Sequence, residues 1–159
     1  MKRTKIMLAL LLAPMFALAG EAQVSFKEFK EYRDVGPSNE TRGSYHQRVE
    51  KQLRKHVAKL AEQLPEGNTL SLHFDEIDLA GDVRYGATEM RVIKPIYFPR
   101  LTLSYKVINS QGDVLTEGKE VELKDMAFMD RINRGLDRSF QYEKRLLTEW
   151  FEDELIKQL

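Results

Sequence analysis

The 159-residue chain contains no cysteine. That absence removes thiolate nucleophiles, zinc–cysteine sites, iron–sulfur clusters and disulfides together, so stability has to come from an apolar core. Familiar catalytic signatures are missing as well. There is no G-x-S-x-G, no H-E-x-x-H and no glycine-rich phosphate loop. His46, His56 and His73 do not stand at metal-ligand spacings. An excess of positive charge is lacking too, since 25 basic and 25 acidic residues balance, which makes the chain a poor candidate for nucleic acid. Its longest apolar run, residues 6–19, falls short of the roughly 20 residues that a membrane-spanning helix needs.

That run has another use. Lys2, Arg3 and Lys5 precede it, and small residues follow at cleavage spacing. The pattern predicts a secretory signal peptide over residues 1–22, cut after Ala19 or Ala22, and hence a periplasmic protein with no transmembrane segment after cleavage. With no lipid-accepting cysteine, the mature protein is expected to be soluble. Loss of the leader as far as Ala19 leaves 22 basic against 25 acidic side chains. The remainder, residues 23–159, shows no linker, repeat or low-complexity tract and is expected to fold as one domain.

Periodicity sets the expected elements. Val24 and Phe26 alternate in a short strand. Tyr45, Val49, Leu53, Val57, Leu60 and Leu64 recur at three- and four-residue steps, which predicts a helix over residues 45–64 with Ser44 as its cap. Its other faces carry Arg48, Lys51, Arg54, Lys55 and Lys59 against Glu50 and Glu62. Leu70, Leu72 and Phe74 alternate next, and Leu101, Leu103, Tyr105 and Val107 do so after Pro95 and Pro99. The NSQGD stretch, residues 109–113, predicts a hairpin turn, and Gly118 in the returning strand predicts a bulge or a close backbone approach. A second amphipathic helix carries Tyr142, Leu146, Leu147, Trp150, Phe151, Leu155 and Leu159. The expected fold is α+β: an antiparallel sheet of about four strands with both helices packed on one face.

The densest charge lies in LHFDEIDLAGD, residues 72–82, where Asp75, Glu76, Asp78 and Asp82 crowd together. An EF-hand frame fails from either Glu76 or Asp78, because alanines and Val83 occupy required positions. Parity points elsewhere. Leu72 and Phe74 are even-numbered while Ile77 and Leu79 are odd, so one face can bury all of them only if a bulge inserts a residue at Asp75-Glu76. Asp75, Asp78 and Asp82, with Arg91 and Arg100 beyond the turn, form the candidate ligand or ion-pair site; Arg84 and Lys94 are further ion-pair partners. Arg131, Arg134 and Arg138 ahead of the last helix form either an anion site or a charged surface loop.

Three stretches carry a resemblance: LPEGNTLSLHFDEIDLAGD, then MRVIKPIYFPRLTLSYKV, then YEKRLLTEWF. They resemble an exported bacterial family, domain-of-unknown-function family 3016, through a D-L-A-G turn at residues 78–81, Pro99-Arg100 before a strand, and an E-K-x-x-L-x-x-W-F helix at residues 143–151. The resemblance implies a small single-domain periplasmic protein and transfers no catalytic residue. The expected function is non-enzymatic binding of a protein or envelope component, with no cofactor and no metal. The alternative is a small-ligand or metal-ion binder, or a minor hydrolase, centred on the acidic turn.

Overall fold

A computed structural model describes residues 20–37, 39–131 and 139–159. The expected leader lies outside them up to Ala19, and so do Arg134 and Arg138.

Strand β1 (Glu21–Phe26) leads through a single 3-10 turn into helix α1 (Arg42–Ala61). Thr41 rather than Ser44 caps α1: its hydroxyl accepts the Ser44 N–H at 3.4 Å, so the helix starts earlier than the apolar stripe alone implies. Strand β2 (Thr69–Asp78) follows, then a small antiparallel pair, β3 (Asp82–Arg84) and β4 (Met90–Val92). Strands β5 (Arg100–Ile108) and β6 (Val114–Lys124) form the expected hairpin, and α2 (Gln141–Trp150) runs on into a π-helical turn at Phe151–Leu155.

The main sheet has the order β1-β2-β5-β6. It is mixed, which corrects the expected antiparallel sheet. β1 pairs parallel to β2, whereas β2, β5 and β6 are antiparallel neighbours. The cause is α1, because parallel neighbours need a crossover connection and α1 supplies it. Alternation within β1 is the same for either direction, so periodicity could not reveal its partner's sense.

Both helices cover one face. Tyr45, Val49, Leu53, Val57 and Leu60 of α1 share a single core with Leu146, Leu147 and Trp150 of α2 and with Leu70, Leu72, Phe74, Leu101, Leu103 and Val107 of the sheet. Trp150 and Phe151 are both buried, and the Trp150 ring meets Tyr105 edge-on at 5.1 Å. The bulge in β2 is present. Phe74 stands opposite Leu103 and Glu76 opposite Thr102, leaving Asp75 as the unmatched residue, so Ile77 and Leu79 turn inward with Leu72 and Phe74. A second bulge in β6 places Lys119 and Glu120 opposite Ser104. Gly118 beside it is a close approach as well, since a Cβ there would lie 2.5 Å from the Tyr105 ring. Among the described residues no helix is long and apolar enough to cross a membrane.

His56 sits in the seam between the helices, with Nε2 2.9 Å from the Thr148 hydroxyl. Burial pushes its pKa down to about 4 from the ordinary 6.5. The unfolded chain therefore takes up a proton near pH 6.5 that the folded chain resists until about pH 4. Stability should fall across that window as pH drops, by up to about 3 kcal/mol from this group. Denaturant titrations from pH 7 to 4 should show His56→Gln with a shallower loss than wild type. Equal slopes would remove His56 as the source.

Candidate functional site

The acidic stretch folds into a turn at residues 78–81 on which four distant segments converge. From the segment after β1, Asp34 donates its N–H to the Ile77 carbonyl (3.3 Å) and accepts the Leu79 N–H on its own carbonyl (3.0 Å). From β4, Arg91 forks onto the Asp34 carboxylate, Nη2 to Oδ1 at 2.8 Å and Nη1 to Oδ2 at 3.0 Å. The same guanidinium donates to the carbonyls of Leu79, Ala80 and Gly81 at 3.4, 3.3 and 3.0 Å, and to that of Gly36 at 2.9 Å. From α2, Glu143 accepts the Ala80 N–H at 2.7 Å. From β5, Arg100 stands opposite Asp78 in register, with Nε 3.5 Å from Oδ2.

Gly81 makes the turn possible. Its φ is +89°, and a Cβ there would lie 2.7 Å from Ile93 Cδ1 and 2.8 Å from the Val92 carbonyl. Its N–H donates to the Tyr97 carbonyl at 2.9 Å, which ties in the proline-flanked approach to β5.

Electrostatics follow from this packing. Burial raises the Glu143 pKa, opposed by the N–H groups of Ala80 and Glu143 itself and by Arg91 and Lys144. Burial also raises Asp78, with Arg100 working against it and Asp34 adding to it. Burial opposes the charge on Arg91, but the Asp34 hydrogen bonds, with Tyr45 and Glu143 nearby, outweigh it and raise its pKa.

The five candidate residues do not form one site. Asp78, Asp82 and Arg100 line a cleft of about 330 Å³ together with Asp34, Tyr85 and Ile96. Asp82 pairs with Arg84 at 3.6 Å, and both are exposed. Arg91 lies behind the turn and borders a second cavity of about 410 Å³ with Tyr45, Arg48, Phe140, Tyr142 and Glu143. The cationic groups of that cavity are already engaged, Arg48 by Glu40 and Arg91 by Asp34. Asp75, the bulged residue, faces the open side of the sheet and accepts the Ser104 hydroxyl at 2.7 Å. Lys94, offered as an ion-pair partner, reaches no carboxylate among the described residues. Arg131 engages Glu149 at 2.6 Å, as a charged surface residue does.

Two chemistries can be tested on this geometry. Among the described residues no group of three or more histidine or carboxylate side chains is placed to hold a metal ion. On the open sheet face, Ser25 Oγ lies 2.9 Å from His73 Nδ1, in the outline of a nucleophile and base. The third member does not support it. Asp75 is 3.9 Å from His73 Nε2, beyond hydrogen-bond length, and its Oδ2 is held by Ser104.

Apolar spacing gave no sign of Asp34, and Glu143 entered only as the first residue of the family-like helix at residues 143–151. Neither carries a local signal, because their partners are Arg91 and Ala80, far along the chain. The three family-like stretches do converge here: the turn itself, Arg100 after Pro99, and Glu143 at the head of α2.

A mixed sheet under two helices, with one polar turn held at the end of β2, defines an α+β domain. The chain belongs to the family described as Protein of unknown function (DUF3016), whose model matches residues 20–153. No curated protein matches it.

Breaking the Asp34–Arg91 pair strands a largely buried carboxylate and four carbonyls. Arg91→Ala should therefore cost about 3–5 kcal/mol. Arg91→Lys should recover only part of this, since an ammonium cannot span the fork. Asp82→Asn, which removes an exposed pair, should stay within about 0.5 kcal/mol of wild type. Urea denaturation of the three variants measures these differences, and a cost for Asp82→Asn matching that of Arg91→Ala would contradict this ranking.

Proposed function

We propose that the protein is exported to the periplasm and acts there as a non-enzymatic binding module, docking another protein through the β3–β4 pair and the loop that follows. The observation that carries this is the placement of exposed apolar side chains. Tyr85 is 74% exposed, Ile96 73% and Met90 58%, and Ile93 joins them at 37%. All four fall within one short segment, and Tyr85 and Ile96 border the same charged cleft. Exposed apolar side chains beside a charged cleft suit an interaction surface, and Tyr, Met and Arg are the residue types enriched in such surfaces. Asp78, Asp82 and Arg100 would supply the polar rim that orients the partner.

Export is supported by the basic start, apolar run and small residues of the N-terminus. Of the two cleavage positions, Ala19 suits the folded body better. The Glu21 N–H donates to the Asn68 carbonyl at 3.0 Å, and Gly20 packs where a Cβ would meet Ala61 O at 2.4 Å. A cut after Ala22 would remove both contacts and the first two residues of β1.

Intact-mass measurement on protein recovered from the host periplasm should give a mature chain starting at Gly20. Recovery only from the cytoplasm, uncut, would defeat the export proposal. For docking, a photo-crosslinking amino acid at Tyr85 or Ile96, expressed in the native host, should trap a discrete adduct, while one at Lys119 on β6 should not. No adduct from either apolar position would remove the docking proposal.

A further inference from the structure

Helix α1 carries a feature that the docking surface does not use. Lys51, Lys55 and Lys59 are exposed and stand at four-residue steps, so their ammonium groups form one column about 12 Å long on its solvent side. Like charges at that spacing work against a helix. Elsewhere on the same helix the cations are neutralised, Arg48 by Glu40 and Arg54 by Glu50. Among the described residues, no carboxylate lies within ion-pair distance of any lysine in the column.

We infer that this column is a docking strip for an anionic phospholipid surface, which it binds through lipid phosphates and not through insertion. The chemistry of the face selects that occupant. Its exposed residues from Gln47 onward are Gln47, Lys51, Arg54, Lys55, Ala58 and Lys59, with Glu62 just past the helix end, and none is an aromatic side chain to serve as the anchor of a protein interface. Lysine is depleted in such interfaces, whereas flexible ammonium heads suit a laterally mobile layer of phosphates. Insertion is blocked because the apolar stripe of α1, from Tyr45 to Leu60, is already buried in the core. The contact is therefore electrostatic, reversible and sensitive to salt. Each lysine near such a surface raises the partition by about fivefold. The strip does not depend on the β3–β4 docking surface and would stand if that surface failed.

The natively processed protein is tested by co-sedimentation with vesicles of phosphatidylglycerol mixed with phosphatidylcholine, and with vesicles of phosphatidylcholine alone. Binding is expected to the first only and should be lost as ionic strength rises from about 0.02 to about 0.5 M. The triple variant Lys51→Gln, Lys55→Gln, Lys59→Gln should lower the partition on the order of a hundredfold. Its thermal midpoint should hold or rise, since it removes like-charge repulsion. A variant of equal charge change, Lys106→Gln, Lys119→Gln, Lys124→Gln, should keep most of the binding. No binding to anionic vesicles, equal binding to neutral ones, or equal losses in the two variants would overturn the inference. Binding to polyglutamate as tight as to phosphatidylglycerol would instead make the column a site for acidic protein and overturn it equally.

Discussion

The guanidinium of Arg91 does for residues 78–81 what regular pairing does for the rest of the sheet. Where β2 ends, successive carbonyls leave the ladder, and buried carbonyls without donors are costly. One planar cation answers three of them and the carbonyl of Gly36, and it is itself neutralised by Asp34. Asp34 in turn bridges Ile77 and Leu79 through its own backbone. A single buried pair thus joins the segment after β1, the end of β2 and the small β3–β4 sheet, with Glu143 adding the head of α2 through Ala80. Remove this knot and the pieces would keep their hydrophobic faces but lose their mutual orientation.

That arrangement divides the charge of one stretch among different partners. Asp75 is pushed to the open sheet face by the bulge, Asp78 meets Arg100 across β5, and Asp82 turns out to Arg84. Asp78 and Asp82 still border one cleft, while Asp75 lies apart on the open face of the sheet. The knot also anchors the β3–β4 pair through Arg91, with Met90 exposed on β4, Tyr85 in the loop before it and Ile96 in the segment after it. A rigid support under an apolar patch lowers the entropy lost on docking.

Membership of the family spans nearly all the described body, from Gly20 to Asp153. The stretches that carry its resemblance are the ones that meet at the turn. The proposed docking surface borders the junction at Asp78 and Arg100, and the lysine column lies apart from it on α1.

Much was legible along the chain because the relevant physics is local. Apolar spacing located both helices and the inward residues of β2 and β5, and a change of parity between Phe74 and Ile77 located the bulge, since a pleated strand cannot bury both phases without an extra residue. The absence of cysteine and of one-signed charge narrowed the chemistry for the same reason: composition does not depend on the fold. The tertiary structure alone decided that β1 runs parallel to β2, because alternation within a strand is blind to its neighbour's direction. It also decided that Arg91 chooses Asp34 over the nearer acids of the turn, and that Glu143 serves Ala80 as well as its own helix. Those choices depend on which groups are brought together in a desolvated space, and separation along the chain carries no record of that.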